Sequence, residues 1–417
     1  MKVLWITNGL FAHHFSLLNQ EPKLSASGSW LYAAYEAAKN SADIELHIAT
    51  VSNRKDMLNG KYEGVSFYIL PGGSIFDYDL ESQANQNYWK ELAENIKPDI
   101  LVSWGSEARF AYLAFKCFSN NTPKVIYVQG VMNAIVGHLD DGVPHKVLCS
   151  TLRDYVDKLN PKKKDKLFYN QTEIEKKLFK LADAAIVEND WCESQCKAMN
   201  PKIGVFYNKL PIKKDFYNCS WNIDKIDELS IFTNAGGVTY KGHHILFQAL
   251  SIVKKTFPKV KLYIPGDNYL LHTKGFIHRT GYYNWLHRIY NNNSLHENII
   301  FTGVLSSQQM AERLAKSNLY VMPSMVENHS SSLIEALIVG VPCISSMVGG
   351  AASLVHHGED ALLYNSREHE TLAGYIIKLL GDKEMCKLLG KQALNIRENR
   401  RTDFGQEMFS IYKSILG

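Results

Sequence analysis

The chain has 417 residues, 46% hydrophobic and 21% charged, with a formal net charge of +4. That length exceeds one ordinary core and implies two domains, while the composition excludes disordered and fibrous classes. The charge is too mild to announce nucleic acid, and no run reaches the ~20 apolar residues of a spanning helix.

MKVLWITNGL opens with one lysine and a short apolar run, so it reads as a first strand and its turn rather than a signal peptide. A helix over 29–38 follows, then apolar runs at 45–50, 65–70, 100–103 and 125–128, with helical stretches at 88–96 and 108–118 between them. Such alternation predicts crossover units and a mostly parallel, Rossmann-like sheet. Strand ends carry Trp104-Gly105-Ser106-Glu107 and Gln129-Gly130, where crevice residues belong in such sheets. His13 and His14 read as polar loop residues on the same rim. Lys162-Lys163-Lys164 reads as a solvated loop, and a basic patch there also fits contact with anionic lipid headgroups. Cys192 and Cys196 stand four apart with no zinc-type companions, so the seven cysteines read as reduced structural thiols and the chain as cytoplasmic.

A strand at 184–187 and a link near 205–211 close the first half. The alternation then resumes from Leu229, with a helix near 372–380 and a last one at about 403–416. Residues 268–297 interleave aromatic and basic side chains and predict an amphipathic helix packed on its own domain.

The most informative stretch is YVMPSMVENHSSSLIEALIVGVPCISSMVGG, residues 320–350. It reads as strand, polar loop, helix closed by Gly340, and strand. A helix beginning at Ser330 to Ser332 aims free amides and a positive dipole end at the crevice, where a phosphate is held without a metal. Two readings of Glu335 stand side by side. Ser332 and Glu335 have capping-box spacing, in which Glu335 is a helix cap only; alternatively Glu335 and Glu327, eight positions apart, belong to a ligand site.

Pro323-Ser324, Glu327, seven residues, Glu335-Ala336, Gly340-Val-Pro342 and Gly349-Gly350 together resemble the signature half of the retaining nucleotide-sugar glycosyltransferases of glycosyltransferase family 4. IFTNAGGVTYKGHHIL (231–246), LYIPGD (262–267) and NIIFTGV (298–304) fall in that family's order. The resemblance implies an α/β GT-B fold, with two Rossmann-like domains facing across a cleft. The acceptor domain is expected over 1–208, joined by a C-terminal helix at about 403–417, and the donor domain over 209–402.

By the same resemblance Lys241 meets the donor diphosphate, Glu327 a hydroxyl of the donor sugar, and Glu335 the ribose. Gly236, Gly237, His329, Ser330, Ser331 and Ser332 complete the donor set, and Gly28, Glu107 and Gln129 face the acceptor or cleft. The family's arginine a few residues before the lysine is replaced by Ala235-Gly236-Gly237, so either His243 or Arg279 substitutes, or the serine amides carry more of the load, or activity is weak. Gln129 stands where a histidine is common and cannot act as a base, which implies front-face attack with the leaving phosphate taking the proton. The expected activity is metal-independent retaining transfer from a nucleotide diphosphate sugar to a saccharide or glycolipid, with no cofactor, in cell-surface polysaccharide synthesis. A catalytically silent sugar-nucleotide-binding protein and an epimerase on the same fold are the alternatives.

Overall fold

The computed structural model describes residues 1–9, 11–18, 29–156, 161–270, 279–400 and 403–417. It divides into two compact units: Met1–Val136, Leu167–Pro211 and Thr402–Gly417 form unit 1, and Gly137–Lys166 with Ile212–Arg401 form unit 2.

Unit 1 is built on eight strands: β1 (Lys2–Thr7), β2 (Glu45–Ser52), β3 (Leu58–Tyr62), β4 (Val65–Pro71), β5 (Ile100–Trp104), β6 (Lys124–Tyr127), β7 (Ala184–Val187) and β8 (Gly204–Tyr207). Their order is β3-β4-β2-β1-β5-β6-β7-β8. All pairs are parallel except β3 with β4. Strands such as β5 and β7 are buried at every residue, as short apolar runs must be when helices cover both faces of a sheet. The sequence reading missed β3. LNGKY alternates weakly, and the hairpin is set by Glu63 and Gly64, both at positive φ (49° and 84°), which is the backbone of a two-residue turn.

The chain returns to unit 1 as helix Phe404–Leu416, started by the Asp403 side chain accepting from the Gln406 amide. Tyr412 is fully buried and its hydroxyl accepts from Trp5 Nε1 at 3.2 Å. Gly405 lies so close to helix Ser29–Lys39 that an added Cβ would stand 3.0 Å from the Ala37 carbonyl.

Unit 2 holds six strands: β9 (Asp227–Phe232), β10 (Lys261–Ile264), β11 (Ile299–Phe301), β12 (Ser317–Met322), β13 (Cys343–Ser346) and β14 (Ala361–Tyr364). They are ordered β11-β10-β9-β12-β13-β14 and every pair is parallel. β9 and β12 are therefore neighbours although some 90 residues separate them, and the loops leaving their C-terminal ends are brought together.

Three local expectations need correction. His13 and His14 are not in a loop but in helix Ala12–Leu17, and His14 is fully buried among Phe11 and Phe67. Lys162 to Lys164 belong to helix Pro161–Leu181 rather than to a loop. Residues 137–166, which the sequence reading assigned to the first domain, cluster with unit 2. The predicted helix within 268–297 is present as Gly281–Asn292, with Tyr282, Leu286 and Tyr290 buried in the unit 2 core.

Candidate functional site

The loop after β9 passes Gly236 and Gly237 and enters a short 3-10 turn, Thr239–Lys241. Gly242 ends that turn at φ 73°, and a Cβ there would lie 1.8 Å from the carbonyl oxygen of Pro323. Only glycine permits this approach of the two loops. The Met325 amide donates to the Tyr240 carbonyl at 2.8 Å, closing the contact.

Here Lys241 Nζ meets Glu327 Oε1 at 2.5 Å, and Ser324 Oγ donates to the same oxygen at 2.6 Å. Ser324 is itself held through its carbonyl, which accepts from Ser346 Oγ on β13. The Glu327 carbonyl accepts from the Gly350 amide at 3.0 Å, so residues from both ends of the signature stretch fix this carboxylate. Burial works against the Lys241 charge, yet the adjacent Glu327 carboxylate holds its pKa above the ordinary lysine value.

Gly236 has open space where a side chain would be, whereas a Cβ on Gly237 would reach within 2.9 Å of the Tyr269 ring. Tyr269 hydroxyl bonds His243 Nδ1. Burial depresses His243 to about 3, so this imidazole is neutral and does not replace the missing arginine. Among the described residues no bond joins Arg279 to the Lys241–Glu327 pair; its charge acts on His287 instead.

Helix Ser331–Val339 follows the loop after β12. Its N-cap is Ser330, whose Oγ accepts from the Leu333 amide at 3.3 Å and faces Ser332 Oγ at 3.2 Å. The Ser331 amide is already committed to the His329 carbonyl at 3.1 Å. Ser330 as N-cap makes Leu333 the third helical residue, so the Ser332–Glu335 capping box does not form. Glu335 lies further along the first turns, half-buried, with no hydrogen bond or ion pair among the described residues. Desolvation pushes its carboxyl up to about 7, moderated by the nearby charge of Lys213.

Two cations near the site escaped the sequence reading. Arg400 donates to His329 Nε2 at 3.2 Å, and Lys213 acts on Glu335. Neither lies in a recognisable motif; each is delivered by a segment remote from the serine loop.

Unit 1 presents its own polar set at the C-terminal ends of β1, β5 and β6. Glu107 Oε1 accepts from Asn8 Nδ2, and the Glu107 carbonyl accepts from Gln171 Nε2 at 2.5 Å. Among the described residues, Glu107 Oε2 and Gln129 Nε2 are buried without a hydrogen-bond partner. Glu175, which carried no sequence signal, is fully buried on helix 161–181 and accepts from Ser106 Oγ and from the amides of Met132 and Asn133. Burial pushes both carboxyls up to about 7. Gly28 lies outside the described residues. Among the described residues no cluster of metal-ligating side chains occurs.

Residues 220–396 match the family model described as Glycosyl transferases group 1. N-acetyl-alpha-D-glucosaminyl L-malate synthase of Bacillus anthracis is 32% identical over 122 residues, 29% of this chain and 31% of that protein. Matches to the first curated relatives span between 10% and 31% of their own length. Sucrose-phosphate synthase of Thermosynechococcus elongatus superposes with a TM-score of 0.67 at 15% identity, covering 99% of this chain and 98% of the other. Anabaena HepE in complex with UDP and glucose gives 0.66 at 15% identity, covering 99% and 100%. At such identities the superpositions speak for the fold, which is GT-B, with its two mostly parallel sheets. The signature residues assembled at the C-terminal edge of the second sheet fall inside the stretch, residues 220–396, that is similar to the group 1 glycosyl transferases.

Proposed function

We propose that this protein transfers a hexosyl group, with retention, from a nucleotide diphosphate sugar to a saccharide or glycolipid acceptor. The observation that carries the reading is the preassembled Lys241–Glu327 pair beside a helix whose Glu335 is desolvated and unpartnered. Leaving one carboxylate without a bond costs stability, and such a cost is retained where a ligand supplies the missing donors.

In this reading Lys241 neutralises the departing diphosphate, and the positive dipole end of helix 331–339 adds to the field on its oxygens. Glu327 accepts from a hydroxyl of the donor sugar, and ionised Glu335 accepts from both ribose hydroxyls. The acceptor hydroxyl attacks the anomeric carbon as the carbon–oxygen bond to the diphosphate breaks. Its proton passes to the leaving phosphate oxygen, so Gln129 is not asked to act as a base. Glu107 and Gln129 would line the acceptor side, and synthesis of a cell-surface polysaccharide is the setting that fits such acceptors.

HepE holds UDP, which makes uridine donors the first to test. A thermal-shift screen with UDP, GDP and ADP and their sugars, followed by nucleotide diphosphate release with the best donor, tests the reading. A ligand at 100 times its dissociation constant raises stability by ~2.7 kcal/mol. Binding with no release in the presence of varied acceptors favours the second reading, a silent sugar-nucleotide-binding protein, which the engagement of Lys241 by Glu327 and the absent arginine make specific.

No helix among the described residues is long and apolar enough to cross a membrane. Peripheral contact with an anionic, cytoplasmic membrane face is part of the proposal. Leu152 and Tyr155, 78% and 56% exposed, stand in one segment with exposed Lys146 and Arg153. Co-sedimentation with phosphatidylglycerol vesicles, lost on Leu152→Ser with Arg153→Ser, tests it.

A further inference from the structure

Residues 137–156 leave the chain between β6 and helix 161–181, yet they pack on unit 2 as a strap anchored at four places. Thr239 Oγ1 donates to the Leu139 carbonyl at 2.5 Å. Asp141 pairs with Arg367. Gly142, at φ 74°, lies against buried His244, and a Cβ there would stand 2.8 Å from His244 Nε2. Asp154 is 5% exposed and accepts from the Gly281 amide with both carboxylate oxygens, at 3.0 and 3.1 Å, at the N-terminus of helix 281–292. The fit is close on both sides: a Cβ on Gly281 would lie 1.8 Å from the Val147 carbonyl.

Thr239 is the first residue of the turn that ends in Lys241. That turn is held on one side by the loop after β12, through Tyr240 and Gly242, and on the other by the strap, through Thr239. Removing the strap bond leaves the turn held from one side only. We infer that Thr239 and the strap 137–156 are positioning elements for Lys241, holding its turn so that the ammonium meets the donor diphosphate. The inference rests on the function proposed above, because it gives Lys241 its ligand.

The experiment is a double-mutant cycle in the full chain. Thr239→Val removes the donating hydroxyl with little change of shape, and Thr239→Ser keeps it. With the donor found in the screen, Thr239→Val is expected to lower kcat/KM about tenfold and Thr239→Ser to restore it. In a Lys241→Met background Thr239→Val is expected to cost nothing further, since its effect passes through the lysine. Asp154→Ala, which frees the far anchor, repeats the test if Thr239→Val fails to fold. Unchanged kinetics in Thr239→Val, or an equal loss with and without Lys241, overturns the inference. If wild type releases no nucleotide from any donor, the proposed reaction fails, and the same cycle read as UDP affinity still decides the role of the strap.

Discussion

Glu335→Gln separates the two meanings that the Ser-x-x-Glu spacing allows. Were Glu335 a helix cap, its loss would cost about 1 kcal/mol at any pH at which it is ionised. The structure instead leaves it without a partner and pushed by desolvation from 4.5 up to about 7. That rise corresponds to an upper bound of about 3 kcal/mol stored against the ionised form, and water at the half-buried edge leaves about 1–2 kcal/mol. The folded carboxyl holds its proton more tightly than the unfolded one, so wild type loses stability as pH rises from about 4.5 through 7. The variant therefore gains its full 1–2 kcal/mol above pH 7, and the gain fades toward pH 4.5. Urea denaturation at pH 8 and pH 5 measures both. Donor affinity moves the other way: losing a charged acceptor for the ribose costs about 1.5–3 kcal/mol, roughly 10- to 150-fold in Kd at pH 8. Destabilisation at pH 8, or equal stability differences at both pH values, refutes the argument.

Lys241→Ala is expected to lower nucleotide release by a factor of about 10² to 10³ through the lost diphosphate contact, read as kcat, while far-ultraviolet circular dichroism stays native. Donor affinity of the wild type should weaken as pH falls below about 7, because protonated Glu335 no longer accepts from both ribose hydroxyls; calorimetric titration across pH 6 to 8 measures it. Gly242→Ala must shift the Pro323 carbonyl and adopt a positive φ, so a loss of about 2–4 kcal/mol and of activity is expected in thermal melts and release assays. Tyr412→Phe deletes the acceptor for Trp5 Nε1 and should cost about 1–2 kcal/mol with donor Kd unchanged, since the pair lies in the core of unit 1.

Alternation of short apolar runs with helical stretches was enough to predict β1, β2, β4, β5, β6 and β7 and a mostly parallel sheet, because burial on both faces demands such runs, whereas β3 was missed and β8 was read as a link. The signature stretch, too, revealed its strand, loop, helix and strand, since Gly340 and Pro342 punctuate it locally. Local pattern failed where partners are distant. Ser330 rather than Ser332 caps the helix because the loop after β12 is folded against Met322 and His329, which no spacing rule sees. Lys241 and Glu327 meet across 86 positions only because β9 and β12 are neighbours in the sheet. His14 looked like a polar loop residue, yet aromatic packing buries it neutral. The strap 137–156 carries no motif, and its membership of unit 2 follows from Asp154 finding the Gly281 amide, Gly142 lying against the His244 ring and Gly281 against the Val147 carbonyl. Residue type and periodicity determined which segments are strands, helices and ligand loops, since those depend on each residue and its near neighbours. Tertiary structure alone decided which carboxylate is paired, which is left desolvated and which histidine is silent, because desolvation and charge pairing act through space rather than along the chain.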